Sequence, residues 1–470
     1  MRLQRFALAL SLSTLFLAAT ASAGTYYVAT NGNDSTGTGT ITNPFATISG
    51  ACVNGTLYSD LTAGNPVTIN VRGGIYYGHV GVWIDGTANG RLTIQAYPGE
   101  YPILDGSSNM GTSTDVVGVG GAYVDFIGFE IRNSPHVGYV GWGQTYGKVL
   151  NCTIHDSQGD GIWIGEDTPG VAHDMLIAGN SVYHNCLSNS ARTNLSGGWP
   201  QAIGISAVPN TTVRNNRVFR NYGEGIIMGP TDNSFVIGNE VFDNFSNNIY
   251  LEHAQTTVVD GNLCYSFDTN YYRNYGSNNW QPAMGIVLAN EHPDAPTTHT
   301  LANDTIINNV IIHPYWGIGY WRDDSGLNTI KFANNTVYDP TGDALHIDYD
   351  STATGIIVEN NIFALSSGST ARVVGGYDLS GNSTTTLQST GFTFRYNLWS
   401  SAPSAPAHTT TNNDQVGSPA FVMAGGHNAE DYKLTSTSPA KDHGSTLSYV
   451  TVDYARKPRG GTYEMGAWEY

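Results

Sequence analysis

The sequence predicts an all-β fold, a right-handed parallel β-helix of about ten coils. Three observations predict it: a phrase that recurs along the chain, an asparagine at one phase of that phrase, and a composition built for turns. The phrase is an apolar pair, a small or polar residue, Asn, then alternating apolar residues. It reads KVLNCTIHD, LIAGNSVYH, TVRNNRVFR, FVIGNEVFD, VVDGNLCYS, TIINNVIIH, KFANNTVYD, IVENNIFAL and TFRYNLWS. Such a repeat is the signature of a solenoid.

Aligned in this way, the phrases place Asn151, Asn180, Asn216, Asn239, Asn262, Asn309, Asn335, Asn361 and Asn397 at one phase, with Gly128 in the copy before them. The spacings are 29, 36, 23, 23, 47, 26, 26 and 36 residues. The shortest is one turn of a β-helix, which rises one strand spacing of about 4.8 Å. Asparagines stacked at an inward turn satisfy one another's amides up the axis, which removes the cost of burying them.

A second phrase precedes the asparagines: GIWIGE, AIGISA, GIIMGP, NIYLEH, GIVLAN, GIGYWR and ALHIDY. Its second and fourth residues are apolar and should point inward, its third and fifth outward, because strand side chains alternate faces. Each coil therefore carries at least two strands. Long spacings mark insertions at Leu187–Pro200, Asp268–Pro282 and around Glu291–Thr298; solenoid insertions gather on one face and shape its binding surface.

The composition agrees. The 470 residues include 56 Gly and 28 Tyr and are 12% charged, which suits a turn-rich β protein and not a helical bundle. A formal charge of −18 argues against a nucleic-acid partner, and against a polyanion unless a cation bridges the two. Residues 1–23 read as a signal peptide: Arg2 and Arg5, an apolar run from Phe6 to about Ala18, and Ala21-Ser22-Ala23 as the cleavage signature. No later apolar run is long enough for a membrane span. The expectation is a secreted monomer, extracellular or periplasmic. Cys52, Cys152, Cys186 and Cys264 show no CxxC spacing, so a zinc site is not expected, and the repeat register stacks no two of them.

Residues 24–66 read as a cap of strand, Gly/Thr loop and a short helix near Ile48–Asn54, residues 67–399 as the β-helix, and residues 400–470 as irregular strands closing the other end. The opening YYVATNGNDSTGTGTITNPFATI and the closing SPAKDHGSTLSYVTVDYARKPRGGTYEMGAWEY resemble the ends of secreted bacterial β-helix proteins of the pectin-lyase-like superfamily. With the coils, the resemblance covers nearly all of the mature chain. It implies the fold and a set of activities: polysaccharide lyases, glycoside hydrolases, uronate epimerases and proteins without known activity. No lyase family's full catalytic motif is present.

The outward residues concentrate chemistry on three consecutive coils: Glu252-His253, Asn290-Glu291-His292 and Arg322-Asp323-Asp324. One expected reaction is β-elimination on a uronate polysaccharide. His253 or His292 would be the base, Arg322 would neutralise the substrate carboxylate, and Glu252, Asn290 and Glu291 would offer oxygens to Ca²⁺. Many lyases of this fold use a Lys or Arg base, and no Lys falls on this face. The alternative is glycoside hydrolysis by a carboxyl pair, Glu252 with Glu291 or Glu291 with Asp323. A third reading is a non-catalytic glycan-binding or surface protein. Trp163, Tyr250, Trp321, His346, Asp348 and Asp323 are expected to bind sugar. His155, His184 and His313 share a phase and read as a polar face, not a metal cluster.

Overall fold

The structure, a computed structural model, describes residues 24–166, 171–192, 199–291, 300–322 and 326–470. Residues 1–23, expected to be a signal peptide, and His292, Asp323 and Asp324 therefore lie outside the described residues.

The chain winds as a parallel β-helix with three strands per coil, one more than the two phrases required. The strands stack into parallel sheets of 13, 12 and 13 members. A typical coil runs Ile162–Gly165, Leu176–Ala178 and Ser181–Tyr183, and then Gln201–Ser206 lies beside Ile162–Gly165. The second phrase forms the 12-stranded sheet. Its predicted inward residues, including Ile162, Ile164, Ile203, Ile205, Ile226, Met228, Ile249, Leu251, Ile286 and Leu288, all join one continuous buried core. Each such side chain contributes on the order of 1.5–3 kcal/mol when fully buried.

The asparagine ladder is present with its first rung corrected. In Asn180, Asn216, Asn239, Asn262, Asn309, Asn335 and Asn361, both the backbone N–H and the side-chain NH₂ donate to Oδ1 of the next asparagine, at 2.9–3.1 Å. Asn397 ends the stack, its N–H donating to Asp414 Oδ1 at 2.7 Å. Asn151 is not a rung. The strand pairing Leu150↔Ala178 puts Cys152, not Asn151, opposite Asn180, and the Cys152 N–H donates to Asn180 Oδ1. Asn151 is exposed and left-handed at φ 53°, the position that Gly179, Gly238 and Gly261 take in later coils. Asn tolerates that conformation better than most residues, so it fits the turn for a different reason than the ladder does.

A second, shorter ladder stands five residues on. Asn185 donates to Asn221, Asn221 to Asn244, and Asn244 to Asn248. The hexapeptides NSVYHN, NRVFRN and NEVFDN carry it in the sequence.

At the amino end, strand β1 (Gly24–Val28) pairs with Val67–Val71, and two helices cover the core instead of one: α1 (Ile48–Cys52) and α2 (Gly55–Thr62). Asn54 caps α2 by accepting the N–H groups of Thr56 and Leu57, and Leu57 and Leu61, one turn apart, bury its inner face. At the carboxyl end, the chain after Gln415–Val416 turns back along the flank. Ser445 N–H donates to Asn360, Ala467 N–H donates to Thr336, Arg459 donates to Asn308 and Arg456 pairs with Asp260. The closing segment thus braces the coils one to four before the last. All four cysteines are buried and unbridged.

Candidate active site

The site lies on the outer face of the 12-stranded sheet, where parallel pairing lines the outward residues into rows. One row contains Trp163, Gly204, Ile227, Tyr250, Val287, Gly319 and His346, as the alternation predicts. The structure corrects what this row does. Ile227, Tyr250, Val287 and Trp316 form a second apolar layer, with Tyr275 and Tyr315 packed against it. Tyr250 is 4% exposed and offers no ring face to a sugar. His346 is sealed as well. Its Nδ1 meets Asp343 at 2.6 Å, its Nε2 meets Asp348 at 2.9 Å, and its ring stacks 3.5 Å from Trp316. Burial works to lower its pKa, but the two carboxylates hold it above the usual histidine value. His346 therefore organises the wall of the site and does not reach its floor.

The two insertions close over this layer together. Arg192 lies 4.5 Å over the Trp280 ring and donates to the Thr269 carbonyl at 2.8 Å. Arg273 sits between Trp199 and Tyr275, 4.2 and 4.4 Å from their ring centroids. Each insertion supplies a cation to the other's aromatics or to its own clasp.

Beneath the clasp is a cluster of three glutamates around Tyr250. The Tyr250 hydroxyl donates to Glu291 Oε1 at 2.7 Å. Glu224 lies in another outward row, in register with Gln201, and accepts a 2.5 Å hydrogen bond from the Asn247 side chain. Burial, reinforced by repulsion from Glu291 and Glu252, pushes Glu224 up to about 8, so it holds its proton at neutral pH. Burial and then Glu291 raise Glu252 in the same direction. Proton affinities displaced in this way, in a recess with a defined charge partner, are what acid–base chemistry requires. Glu224 was missed because it stands one residue before the phrase GIIMGP, outside the window used to assign faces. A charged residue abutting a buried strand was the available signal.

The other expected residues separate. His253 is buried, in a left-handed turn (φ 52°), with Nε2 2.8 Å from the Glu291 carbonyl. That nitrogen carries the hydrogen, so a base role for His253 would fall to its Nδ1. Asn290 is wholly buried, and its Oδ1 accepts the Leu301 N–H at 2.8 Å. The oxygen set expected for Ca²⁺ therefore does not assemble from Glu252, Asn290 and Glu291. Among the described residues, no group of three or more His, Cys, Asp or Glu side chains is placed to hold a metal. His155 and His184 both meet Asp156, at 2.7 and 2.5 Å, and His313 meets Asp339 at 3.1 Å.

Arg322, in register with Asn290, lines an open cavity of about 320 Å³ with Trp321, Asp348 and Tyr377. Its Nε is 3.8 Å from Asp350 and its Nη1 3.4 Å from the Tyr349 carbonyl. Neither contact is a two-pronged ion pair, so the fork retains capacity for a carboxylate. Trp321 is 44% exposed. Trp163 lines a second cavity, of about 410 Å³, with Trp199, Gln201 and Asp160; burial pushes Asp160 up to about 6. None of the five lysines lies on this sheet.

Comparison with known proteins follows this geometry. The family model described as Pel9A-like, right handed beta helix region, matches residues 26–262. A search of the curated proteins finds no match. Among solved structures, the chain is similar to the pectate lyase Pel9A at 16% identity and TM-score 0.53, covering 96% of this chain and 97% of that one. It is similar to XylC in complex with xylose at 12% identity and TM-score 0.60, covering 95% and 98%. It is also similar to a rhamnogalacturonan lyase at 14% identity and TM-score 0.52, covering 91% and 97%. At these identities the likeness is one of fold.

Proposed function

We propose, from the premise that this chain belongs to the Pel9A-like right-handed β-helix family, that it is a carbohydrate-active enzyme that cleaves a uronate-containing polysaccharide by β-elimination. The observation that carries the reading is the glutamate cluster around Tyr250, with its raised proton affinities. A carboxylate with a raised pKa is the stronger base. Glu252 takes the proton on the carbon beside the substrate carboxylate. The bond to the leaving oxygen breaks, and the protonated Glu252 returns its proton to that oxygen. A protonated Glu224 removes one negative charge from the recess that an anionic sugar must enter. Arg322, two strands from Glu252, faces the substrate carboxylate and stabilises the charge that builds on it. Two of the similar structures are named as lyases, which supports this choice. Calcium was the expected counter-ion; of its expected oxygens, that of Asn290 is committed to the Leu301 N–H.

Glycoside hydrolysis is the second reading. It is favoured by the predominance of carboxyls over cations in the cluster. Among the described residues no helix is long and apolar enough to cross a membrane.

The test is incubation of the mature protein with uronate and neutral glycans, with and without EDTA. Absorbance of an unsaturated uronate is the expected result. Reducing ends without that absorbance would replace elimination by hydrolysis. Elimination that stops in EDTA and returns with Ca²⁺ would restore the cation to the mechanism.

A further inference from the structure

We propose that Arg273, Tyr275 and Asn247 form a carboxylate-binding site beneath the two insertions, which takes an acidic sugar edge-on against the Arg273 guanidinium. The site stands apart from Glu252 and Arg322, and its occupancy does not require the cleavage proposed for them.

Three buried polar atoms under the clasp have no hydrogen-bond partner among the described residues: Arg273 Nε, Tyr275 Oη and Asn247 Oδ1. A buried donor or acceptor left unmatched is costly, and folded proteins leave few of them. Water alone answers such atoms in many proteins. The state of Arg273 argues for an anion instead.

The second insertion carries Arg273 on a short hairpin, Arg273–Asn274 paired with Trp280–Gln281. The guanidinium sits between the Trp199 and Tyr275 rings, 4.2 and 4.4 Å from their centroids. The rings fix its plane and leave its edges for hydrogen bonds. One edge is used, since Nη1 donates to Ser246 Oγ at 3.0 Å. The other edge, Nε with Nη2, makes no hydrogen bond among the described residues. Two parallel N–H groups in one plane match the two oxygens of a carboxylate. Glu224 does not fill that role. The Arg273 charge works to lower its pKa, but burial prevails and Glu224 keeps its proton at neutral pH.

The other two atoms fit the same ligand. Burial raises the Tyr275 pKa and Arg273 works against that rise, so a protonated hydroxyl lies beside the guanidinium, ready to donate. Asn247 follows Ser246, which Arg273 holds, and is 7% exposed. A protonated Glu224 gives its hydrogen to Asn247 Oδ1 once that amide turns over, and the Asn247 NH₂ then takes the unmatched position as a third donor. Three donors without an acceptor describe an anion site.

The site lies beside the row of Glu252 and not on it. Asn247 and Glu252 begin and end one strand, about 16 Å apart along it. Arg322 is two strands beyond Glu252, so a carboxylate held by Arg273 is not the one that Arg322 faces.

The experiment is calorimetry with the full chain carrying Glu252→Gln and Arg322→Gln, which removes the base and the other fork. The probes are galacturonate, its trimer and neutral galactose. One acid should bind, and galactose should not. Binding of the monomer identifies a free sugar acid as the ligand; binding of the trimer alone identifies a unit within a chain. Arg273→Lys and Tyr275→Phe should each weaken binding about tenfold. Tyr275→Phe keeps the ring against Arg273 and decides the matter if Arg273→Lys does not fold. Affinity should fall as pH rises through about 8, because Glu224 then ionises, pairs with Arg273 and repels the ligand. Glu252, Glu291, Tyr250 and the Cys186 thiol also act on Glu224. Burial keeps the last two neutral in that window, and the carboxylates add to the repulsion. No binding of either acid, equal binding of galactose, unchanged affinity in Tyr275→Phe, or affinity that rises through that window would overturn the site. Cleavage by the natural protein without acid binding here sinks the site alone. Acid binding that depends on Arg273, without cleavage of any glycan, leaves the site standing and sinks the enzymatic reading.

Discussion

The Tyr250 hydroxyl donates a 2.7 Å hydrogen bond to Glu291 Oε1, joining a strand of one coil to the turn of the next across the recess that holds Glu252. The tyrosine is locked by burial, so this bond orients the carboxylate. Tyr250→Phe keeps the packing and deletes the bond. A hydrogen bond to a charged group is worth about 1.5–3 kcal/mol. The variant should lose stability in that range in urea unfolding and lose kcat. Full activity would mean that Glu291 needs no orientation.

Glu252→Gln preserves shape and removes the base. Cleavage should fall by about 10²–10⁴-fold, the usual scale of a positioned acid–base group. Arg322→Lys should be milder in stability yet raise KM on uronate substrates, because an ammonium cannot reproduce the two-pronged fork. Steady-state kinetics on the responding glycan decides both. Normal turnover in Glu252→Gln would move the base elsewhere.

Glu224 makes stability depend on pH in a stated direction. Its folded pKa, about 8, lies above the ordinary 4.5. The stabilisation is therefore complete below 4.5 and is lost as pH rises toward 8, because the unfolded chain gives up the proton first. Thermal unfolding of the natural protein should decline through that window. Glu224→Gln, neutral throughout and still able to accept from Asn247, should flatten the curve. Parallel curves for the two proteins would show that Glu224 is not held protonated.

Asn239 and Asn151 separate the ladder from the turn. Asn239 donates to Val213 and Asn262 and accepts twice from Asn216. Asn239→Ala leaves buried partners unmatched at about 1–3 kcal/mol each, so a loss of several kcal/mol is expected. Asn151→Gly should be neutral or slightly stabilising, since the site needs only a left-handed backbone. Equal losses in the two variants, measured by denaturant midpoints, would contradict the corrected register.

The solenoid was legible because two periodic demands recur at every coil: an apolar alternation that must face the core and an amide that must find a partner there. Such demands act between near neighbours, so pattern alone exposes them. The same alternation continued upstream as VGVW, VGVG and YVGW, which would have extended the outward rows to Trp83 and Trp142. The slip at Asn151 arose where two adjacent residues both suit the turn; backbone pairing resolved it through Cys152.

The sequence by itself determined the coil, the sheet faces, the insertions and the stretch around Glu252, because strand alternation and stacking follow from local backbone geometry. Only the tertiary structure decided which outward residues stay open. Tyr250 and Val287 point outward as predicted, yet insertions far along the chain bury them, while Trp83, Trp142 and Trp321 remain in solvent. Burial of an outward residue depends on what other segments lay over it, and that non-local packing also lifts the proton affinities of Glu224 and Glu252.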